Sequence, residues 1–383
     1  MNWKVPLFAP DLGEEESQAL ADVIRSRWLT MGDRTTAFEE QFASFVGCRH
    51  GIAVTNCTSA LHLALLAVGV GPGDEVVCPA LTFVAAANTI VSCGARPVFA
   101  DVTSLEDWNV GRETVESVLT GRTKAVVVLH YGGYMADMRP IVDLANERGI
   151  AVIEDAAHAP GASRDGAAAG AWGDVGCFSF FSNKNLTTGE GGMLTASRDD
   201  LAEPLRRLRS HGMTTATLDR HRGHAFSYDV VKFGYNYRMS ELNAALGSVQ
   251  LRHLPERTRR RGKLAAEYRR RLAGIPGLTV PFSTHEGVPA VHIMPVLLPP
   301  DSERERVMAR MRDAGVQTSI HYRPVDTFTV YRDAGLGPDD CLVHTRTIGQ
   351  RTVTLPLYPS MTGEQIDLVC SSLAEALASS TVE

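Results

Sequence analysis

The sequence predicts an α/β protein in which a largely parallel sheet, flanked by helices, is followed by a smaller α+β domain. Between about residues 58 and 250, short apolar runs alternate with helical patterns. The apolar runs are continuous, which indicates strands covered on both faces. At 383 residues the chain exceeds the size at which one core stops growing. We therefore expect a large domain over residues 1–250 and a small one over 251–383.

The large domain reads as an ordered series of helices and strands. The predicted helices are "TSALHLALLAVGV", "FVAAANTIVSCG" and "MRPIVDLANERG". The predicted strands are "GDEVVCP", "RPVFADV", "KAVVVLHY" and "IAVIEDAA". Ligands of such sheets bind at the carboxyl ends of the strands. The acidic residues of "ADV" and "EDAA" are expected at those ends.

After about residue 250 the pattern changes to that of an α+β domain. A long basic helix, "RTRRRGKLAAEYRRRL", precedes three predicted strands, "GLTV", "VHIMPVLLP" and "VQTSIHY", and helices are predicted at 302–314 and 362–378. The arginines of the basic helix could form a phosphate or nucleic-acid patch. Leu264, Ala265 and Tyr268 recur at core spacing, which favours a helix with one buried and one solvated face.

Composition and charge narrow the class of protein. Hydrophobic residues make up 44% and charged residues 21%, which excludes a disordered or collagen-like chain. The net charge of −6 means that the chain has no overall excess of positive charge with which to bind nucleic acid. Seven cysteines without a C-x-x-C pair indicate neither a disulfide framework nor a zinc site. No signal peptide or membrane span is apparent, so we expect a cytoplasmic enzyme with no metal and no membrane partner.

The segment "FSFFSNKNLTTGEGG" places a single lysine, Lys184, between aromatic and glycine-rich residues. Burial beside Phe180 and Phe181 would lower the pKa of this lysine and make it a nucleophile toward an aldehyde. A surface lysine in a polar loop is the alternative, and the segment alone does not decide between the two.

The segment "VIEDAAHAPGA" ends a predicted buried strand with Asp155. A buried carboxylate needs a cationic or hydrogen-bonding partner. A protonated pyridine nitrogen would be such a partner, as the electron-sink chemistry of pyridoxal phosphate requires. The alternative is a carboxylate that caps a following helix. Glu154 is interpreted as a structural neighbour, because adjacent strand residues point to opposite faces.

A phosphate site is predicted at the start of the helix in "TNCTSALHLALL". There the free N–H groups beside Thr58 and Ser59 favour an anion, although ordinary N-capping explains the same residues. Ser179 offers a further hydroxyl five residues before Lys184. In "PALTFVAA", Phe83 lies at a strand-to-helix turn and could stack on a flat cofactor, with core packing as the alternative.

In their order and spacing these segments resemble the DegT/DnrJ/EryC1/StrS family of pyridoxal-phosphate-dependent sugar aminotransferases. The resemblance implies an aspartate-aminotransferase-like fold of PLP fold type I, with a mainly parallel seven-stranded sheet in the large domain. The similar segments run from "SRWLTMGDRTTAFEEQFASFVG" through "GVGPGDEVVCPALTFVA", "GARPVFADV", "EDAAHAPGA", "GDVGCFSFFSNKNLTTGEGGM", "LRSHG" and "GYNYRMSELNAALGSVQL" to "SIHYRP" and "LPLYPSMT".

The resemblance implies a role for each matching residue. Lys184 would hold pyridoxal phosphate as a Schiff base, Asp155 would face the pyridine nitrogen, and His158 would lie on the cofactor's O3' side. Phe83 would stack on the ring. The residues implied for the phosphate are Thr58, Ser59 and Ser179.

The resemblance also implies a homodimer with shared active sites. Asn236 of "GYNYRM" matches the asparagine that reaches the phosphate of the neighbouring subunit. His321 of "IHYRP" falls where relatives contact the sugar. So do the residues of the "WLTMG" loop, which are Trp28, Thr30 and Met31.

The sequence departs from the family pattern in two places. The family's "SGTAAL" reads "NCTSAL" here, with Asn56 and Cys57 replacing Ser and Gly, and phosphate binding is expected to survive. The family's "HYPPLH" reads "HYRPVD", with Arg323 and Asp326 on the expected substrate side. An insert near residue 220 would either line the sugar site or form an idle loop. Its polar and aromatic residues are His221, Arg222, His224 and Tyr228.

The function implied by the resemblance is transfer of an amino group from L-glutamate to a nucleotide-linked (dTDP or UDP) keto-deoxysugar in amino-sugar or secondary-metabolite biosynthesis. A cyclitol ketone of the scyllo-inosose type is an alternative acceptor. A sugar dehydratase is a second alternative, but in those relatives a histidine replaces the lysine. A non-catalytic regulator that binds the cofactor would have lost Lys184 or Asp155, or carry a DNA-reading helix pair.

Overall fold

The structure is a computed structural model, and it describes residues 3–214, 227–337 and 341–378. In these residues no helix is long and apolar enough to cross a membrane.

The central feature is a seven-stranded sheet with the strand order β1-β9-β8-β5-β4-β2-β3. Strand β9 runs in the opposite direction to the other six strands, so the predicted mainly parallel seven-stranded sheet is confirmed. The strands of this sheet are β1 (His50–Val54), β2 (Glu75–Pro79), β3 (Arg96–Ala100), β4 (Thr123–Leu129), β5 (Ala151–Asp155), β8 (Val175–Ser179) and β9 (Gly192–Ala196). A two-residue hairpin, β6 (Ser163–Arg164) and β7 (Ala167–Ala168), lies between β5 and β8.

Helices cover both faces of this sheet because its strands carry apolar side chains on alternate sides. Val76 packs on one face with α3, α4 and α7, whereas Val77 packs on the other with α2, α6 and α8. The α-helices in the described residues are α1 (Glu14–Ser26), α2 (Asp33–Val46), α3 (Cys57–Ala67), α4 (Ala85–Ser92), α5 (Arg112–Glu116), α6 (Met138–Arg148), α7 (Asp199–Arg209), α8 (Glu241–Leu272), α9 (Arg304–Asp313), α10 (Thr329–Asp333), α11 (Val343–Arg351) and α12 (Gly363–Ala378).

The long helix α8 joins the two parts of the chain. Ala244 and Leu254 pack with the large sheet, while Leu264, Ala265 and Tyr268 are buried in the C-terminal core, as their spacing predicts. The expected domain boundary between residues 250 and 251 lies inside this helix, and the division into 1–250 and 251–383 stays a prediction.

The C-terminal part contains one short antiparallel pair, β10 (Met294–Leu297) with β11 (Thr352–Leu355). The predicted strand "GLTV" is wrong, because Thr279 forms only an isolated bridge with Leu297. The next bonded pair in that register would join Pro281 to Pro295, and neither has an N–H to donate. The predicted strand "VQTSIHY" is also wrong, since it forms only the isolated bridges of residues 316 and 319. Strand β11 was not predicted.

Candidate active site

A cavity of about 280 Å³ opens where the carboxyl ends of β5 and β8 meet the start of α3. This is the position at which parallel sheets bind ligands, and the volume is close to the lower end of the range for small-molecule sites. The residues that line it are Asn56, Cys57, Thr58, Leu61, Phe83, Ala85, Leu129, Asp155, Ala157, His158, Ser179, Phe181, Asn183, Lys184, Glu190, His321 and Tyr322.

A larger cavity of about 640 Å³ surrounds Glu39 and Arg209. It contains Met31 but neither Lys184 nor Asp155. We place the chemistry in the smaller cavity, because only there does an amine with a perturbed pKa face a buried carboxylate.

Lys184 lies in the loop between β8 and β9, where its backbone N–H donates to the carbonyl of Phe181 at 2.9 Å. The residue is partly accessible from the cavity. The burial of its amine lowers the pKa to about 8, although Asp155 and Cys57 oppose that shift. The surface-lysine alternative is therefore wrong.

Asp155 is the last residue of β5 and is 5% exposed. Burial raises the pKa of its carboxyl group, whereas the backbone N–H of Ala157 and the charges of Lys184 and His130 lower it. The N–H of Ala157 donates to Asp155 Oδ1 at 3.1 Å. No helix begins between this residue and β6 in the described chain, so the helix-capping alternative is wrong.

Glu154 points to the opposite face of β5 and has a structural environment, as predicted. Its carboxylate accepts hydrogen bonds from the backbone N–H groups of Gly170, Trp172 and Gly173 at 2.7 to 2.8 Å. It also contacts His130 Nε2 at 2.9 Å. The carboxylate is fully buried and does not reach the cavity.

The hydrogen bonds of His158 determine which of its nitrogens carries the proton. Its Nδ1 accepts from the backbone N–H of Gly132 at 3.2 Å. Burial holds the pKa of His158 well below its usual range. The neutral ring therefore carries its proton on Nε2, which donates to the Tyr322 hydroxyl at 2.8 Å. Tyr322 lines the cavity and was not among the predicted residues, although it stands next to His321 in "IHYRP".

The start of α3 faces the cavity through Asn56, Cys57 and Thr58. Asn56 is the N-cap, because its Oδ1 accepts from the backbone N–H of Ser59 at 2.8 Å and from the Ser59 hydroxyl at 2.9 Å. The Ser59 hydroxyl is thus used within the helix start and does not line the cavity. Asn56 therefore binds the N–H of Ser59, while the N–H groups of Cys57 and Thr58, the first two residues of α3, have no acceptor within the helix. Both residues line the cavity.

Ser179 and Phe83 both line the cavity, as predicted. Ser179 Oγ accepts from the backbone N–H of Phe181 at 3.4 Å. Phe83 is 57% exposed and its ring centroid lies 6.1 Å from that of Tyr322. The core-packing alternative for Phe83 is wrong, because an exposed ring at the cavity wall leaves a face available for stacking.

The structure does not bring every predicted residue to this cavity. Trp28, Thr30 and Met31 lie outside it. Their segment is tied to α8, because Glu241 accepts from the backbone N–H groups of residues 32, 34 and 35 at 2.8 to 2.9 Å. Asn236 is exposed and pairs with Ser210 in an isolated bridge.

The two sequence departures near His321 also lie outside the cavity. Arg323 is exposed and donates to Thr327, and Asp326 is buried beside Arg346. His321 itself lines the cavity, where burial lowers its pKa to about 4. From the predicted insert, Tyr228 is exposed, whereas His221, Arg222 and His224 lie outside the described residues.

One further residue at the site was not predicted. His292 Nε2 lies 3.4 Å from Lys184 Nζ. Its segment, "VHIMPVLLP", was interpreted only as a strand, and no local pattern marks the histidine as functional.

The residues of the cavity fit pyridoxal phosphate. An amine with a lowered pKa suits attachment to an aldehyde, and a buried carboxylate suits a pyridinium nitrogen. A helix start with free N–H groups suits a phosphate. In the described part of the chain no group of three or more His, Cys, Asp or Glu residues could hold a metal ion.

Comparison with known proteins also indicates a pyridoxal-phosphate-dependent aminotransferase. The model of the DegT/DnrJ/EryC1/StrS aminotransferase family matches residues 10–374. The spore coat polysaccharide biosynthesis protein SpsC of Bacillus subtilis is 39% identical over 381 residues, which cover 98% of this chain and 97% of SpsC.

Two solved structures are similar over nearly their whole length. The aminotransferase TlmJ from Streptoalloteichus hindustanus has a TM-score of 0.91 at 38% identity, covering 99% of this chain and 100% of TlmJ. The PLP-form of Spr1654 from Streptococcus pneumoniae has a TM-score of 0.91 at 26% identity, covering 98% of this chain and 99% of Spr1654.

Proposed function

The chain belongs to the DegT/DnrJ/EryC1/StrS aminotransferase family, and from that premise we propose that it moves an amino group from L-glutamate to a nucleotide-linked keto-deoxysugar. Its fold is that of the PLP fold type I aminotransferases, and its family depends on pyridoxal phosphate. The acceptor, the donor and the roles of the individual residues are the proposal.

One observation carries the proposal: the Lys184 amine, with a pKa of about 8, and the buried Asp155 carboxylate line the same cavity. A dehydratase of this family would have a histidine in place of the lysine. A non-catalytic regulator would have no need for either residue. Both alternatives are therefore disfavoured.

The cavity residues divide the binding of the cofactor among them. Lys184 would hold the aldehyde carbon, Asp155 the pyridine nitrogen and Phe83 one face of the ring, and His158 would lie on the O3' side. When bound, pyridoxal phosphate supplies an electron sink for the charge left at the donor's Cα. The phosphate would be held by the N–H groups at the start of α3 together with Thr58 and Ser179, and Ser59 supports that turn through Asn56.

Lys184 Nζ performs the proton transfers. With a pKa of about 8, a useful fraction of the amine is neutral near that pH and accepts the proton from the Cα of the amino donor. Asp155 would face the positive charge of the ring, and that charge would favour the ionised carboxylate. His158, neutral and with its proton on Nε2, donates to Tyr322 and so fixes that hydroxyl at the cavity wall.

The sugar is proposed to bind against the polar side chains of the cavity wall, which include those of His321, Tyr322 and Asn183. These side chains offer hydrogen bonds to hydroxyl groups, and the polysaccharide-biosynthesis name of SpsC supports a carbohydrate acceptor. Trp28, Thr30 and Met31 of the "WLTMG" loop lie outside this cavity, so their contact with the sugar is proposed from the resemblance alone.

We propose a homodimer in which Asn236 serves the phosphate site of the neighbouring subunit. Asn236 is exposed and does not line its own chain's cavity, which agrees with a role in another subunit. All seven cysteines are free thiols, which supports the proposed cytoplasmic location.

A cyclitol ketone is the second candidate acceptor. Among the described residues that line the cavity, Lys184 is the only lysine or arginine. Within residues 3–214, 227–337 and 341–378, no second permanent cation therefore lines the cavity to bind a diphosphate.

The proposal is tested by following nitrogen from donor to acceptor. Purified protein is given L-glutamate labelled with ¹⁵N and one ketone at a time, and the ¹⁵N content of the amine product is measured by mass spectrometry. We expect label in the product from a nucleotide-linked keto sugar and none with Lys184→Ala. Labelling of a free cyclitol ketone alone would select the second candidate, and turnover by Lys184→Ala would exclude the role of the lysine.

A further inference from the structure

A buried histidine lies against the lysine of the proposed mechanism. His292 is 4% exposed and its Nε2 lies 3.4 Å from Lys184 Nζ. It does not line the cavity, so it contacts the lysine from within the protein. Its ring centroid also lies 4.6 Å from that of His158.

The backbone fixes His292 in place. Its N–H donates to the carbonyl of Gly132 at 2.7 Å, and its own carbonyl accepts from Arg261 Nη1 at 3.2 Å. The neighbouring Gly133 has φ +88°, and a Cβ there would lie 2.7 Å from the carbonyl oxygen of His158. Only glycine permits this close approach of the chain segments. The backbone that carries the imidazole of His292 is therefore held in a fixed position.

The hydrogen bonds around His292 determine its tautomer. Asn185 Nδ2 donates to the carbonyl of Ala290 at 2.8 Å, which orients the amide and leaves Asn185 Oδ1 as an acceptor. His292 Nδ1 faces that oxygen at 3.3 Å and must therefore be the N–H donor. In a neutral ring, Nε2 then presents its lone pair to Lys184 Nζ.

The ring stays neutral because everything charged around it opposes a second proton. Burial holds the pKa of His292 well below its usual range, and nearby positive charge adds to this effect. The cations that face it are Lys184 and Arg261, whereas the two neighbouring imidazoles, those of His158 and His321, have lowered pKa values and are neutral near pH 7. On the other side of the lysine, Asp155 and Cys57 raise the pKa of Lys184.

We propose that His292 is a positioning residue whose Nε2 accepts a hydrogen bond from Lys184 Nζ whenever that amine is not joined to the cofactor. The amine is released during each turnover and must still reach the donor's Cα. A fixed acceptor limits the directions in which a flexible four-carbon side chain points. This inference rests on the proposed function, in which Lys184 moves that proton.

The test compares His292→Leu, which removes the acceptor, with His292→Gln, whose side-chain oxygen reaches the position of Nε2. His285→Leu is the matched control, because His285 is also a histidine whose burial lowers its pKa, to about 4, and it lies outside the cavity. Circular dichroism and melting temperature establish that each variant is folded.

Two measurements report on Lys184. The first is the kinetic isotope effect with glutamate deuterated at Cα, together with kcat and KM. The second uses the cofactor-free full chain: the rate of Lys184 acetylation by acetic anhydride is followed against pH by peptide mass spectrometry. This second measurement needs no turnover and gives the pKa of the amine directly.

We expect His292→Leu to lower kcat by about 10- to 100-fold, with a larger isotope effect and little change in KM. In the cofactor-free chain its Lys184 pKa should fall below that of wild type, because the protonated amine loses its acceptor. His292→Gln should recover most of the rate and of the pKa, and His285→Leu should behave as wild type.

A folded His292→Leu protein with wild-type isotope effect and wild-type acetylation profile would overturn the proposal. If that variant fails to fold, His292→Asn replaces it, because the asparagine amide reaches only the position of Nδ1 and leaves Lys184 without an acceptor. A His292→Asn protein with the wild-type isotope effect and acetylation profile would equally overturn the proposal. Failure of the proposed function looks different: wild type itself would not turn over glutamate, while the acetylation comparison would still decide the role of His292.

Discussion

The lowered pKa of Lys184 makes a quantitative prediction about stability. In the cofactor-free protein the pKa falls from 10.5 to about 8 on folding. Between these values the unfolded chain binds a proton that the folded chain has released, so the free energy of unfolding rises with pH across that window. Below pH 8 the amine is protonated in both states, and the folded state then carries the full free-energy cost of burying the charged amine.

The size of the effect follows from the shift. A change of about 2.5 pKa units corresponds to about 3.4 kcal/mol. Nearly all of this penalty is present at pH 7 and about 0.8 kcal/mol remains at pH 10, a difference of about 2.6 kcal/mol. Because Lys184 is partly accessible to solvent, we expect between about 1.3 and 2.6 kcal/mol.

The perturbation is Lys184→Met, which shortens the side chain by one atom, keeps it unbranched and removes its charge. Urea unfolding of the two cofactor-free proteins at pH 7 and pH 10 gives the free energies, and titrations of all other groups appear in both. Wild type should gain more stability than the variant on going to pH 10. In an Asp155→Asn background the gain should be larger, because the Asp155 charge raises the pKa of the lysine.

A difference below about 0.5 kcal/mol between the two pH responses would refute the reasoning. It would mean that the amine is as solvated in the folded protein as in the unfolded chain. The lysine would then have to be activated by some cause other than burial.

Three further predictions concern neighbouring residues. Asp155→Asn should lower kcat at least about 100-fold, because an amide carries no charge to stabilise the pyridinium; a wild-type kcat would contradict this. Glu154→Ala should lower the free energy of unfolding by at least about 3 kcal/mol, because one buried and two half-buried N–H groups lose their acceptor, and an unchanged melting temperature would exclude that account. Mixing Asn236→Ala subunits with Lys184→Ala subunits should restore partial activity, since one shared site in each hybrid keeps both residues, and no recovery would count against shared sites.

The sequence predicts the part of the site that lies at the ends of its elements. No strand is predicted before Lys184, so the resemblance alone places it beside Asp155. Asp155 itself ends a continuous apolar run, and the rule for parallel sheets predicts it at the ligand-binding edge. The same reasoning separates Glu154 from Asp155, because neighbouring strand residues face opposite sides. These inferences need only local patterns.

The remaining site residues depend on contacts that no local pattern encodes. His292 reaches Lys184 across 108 positions of the chain, and Tyr322 reaches His158 across 164. The two wrong strands failed for a related reason: whether an apolar run pairs depends on its partner. Pro281 opposite Pro295 removes the donors that would continue the pairing of "GLTV".

The most direct test of the central claim is the loss of the Cα proton of glutamate in heavy water, followed by ¹H NMR on protein loaded with pyridoxal phosphate and given no ketone. The account predicts that wild type exchanges this proton, with a rate that rises as pH approaches the Lys184 pKa, and that Lys184→Ala does not. Exchange by Lys184→Ala at the wild-type rate would contradict the account, because another group would then be moving the proton.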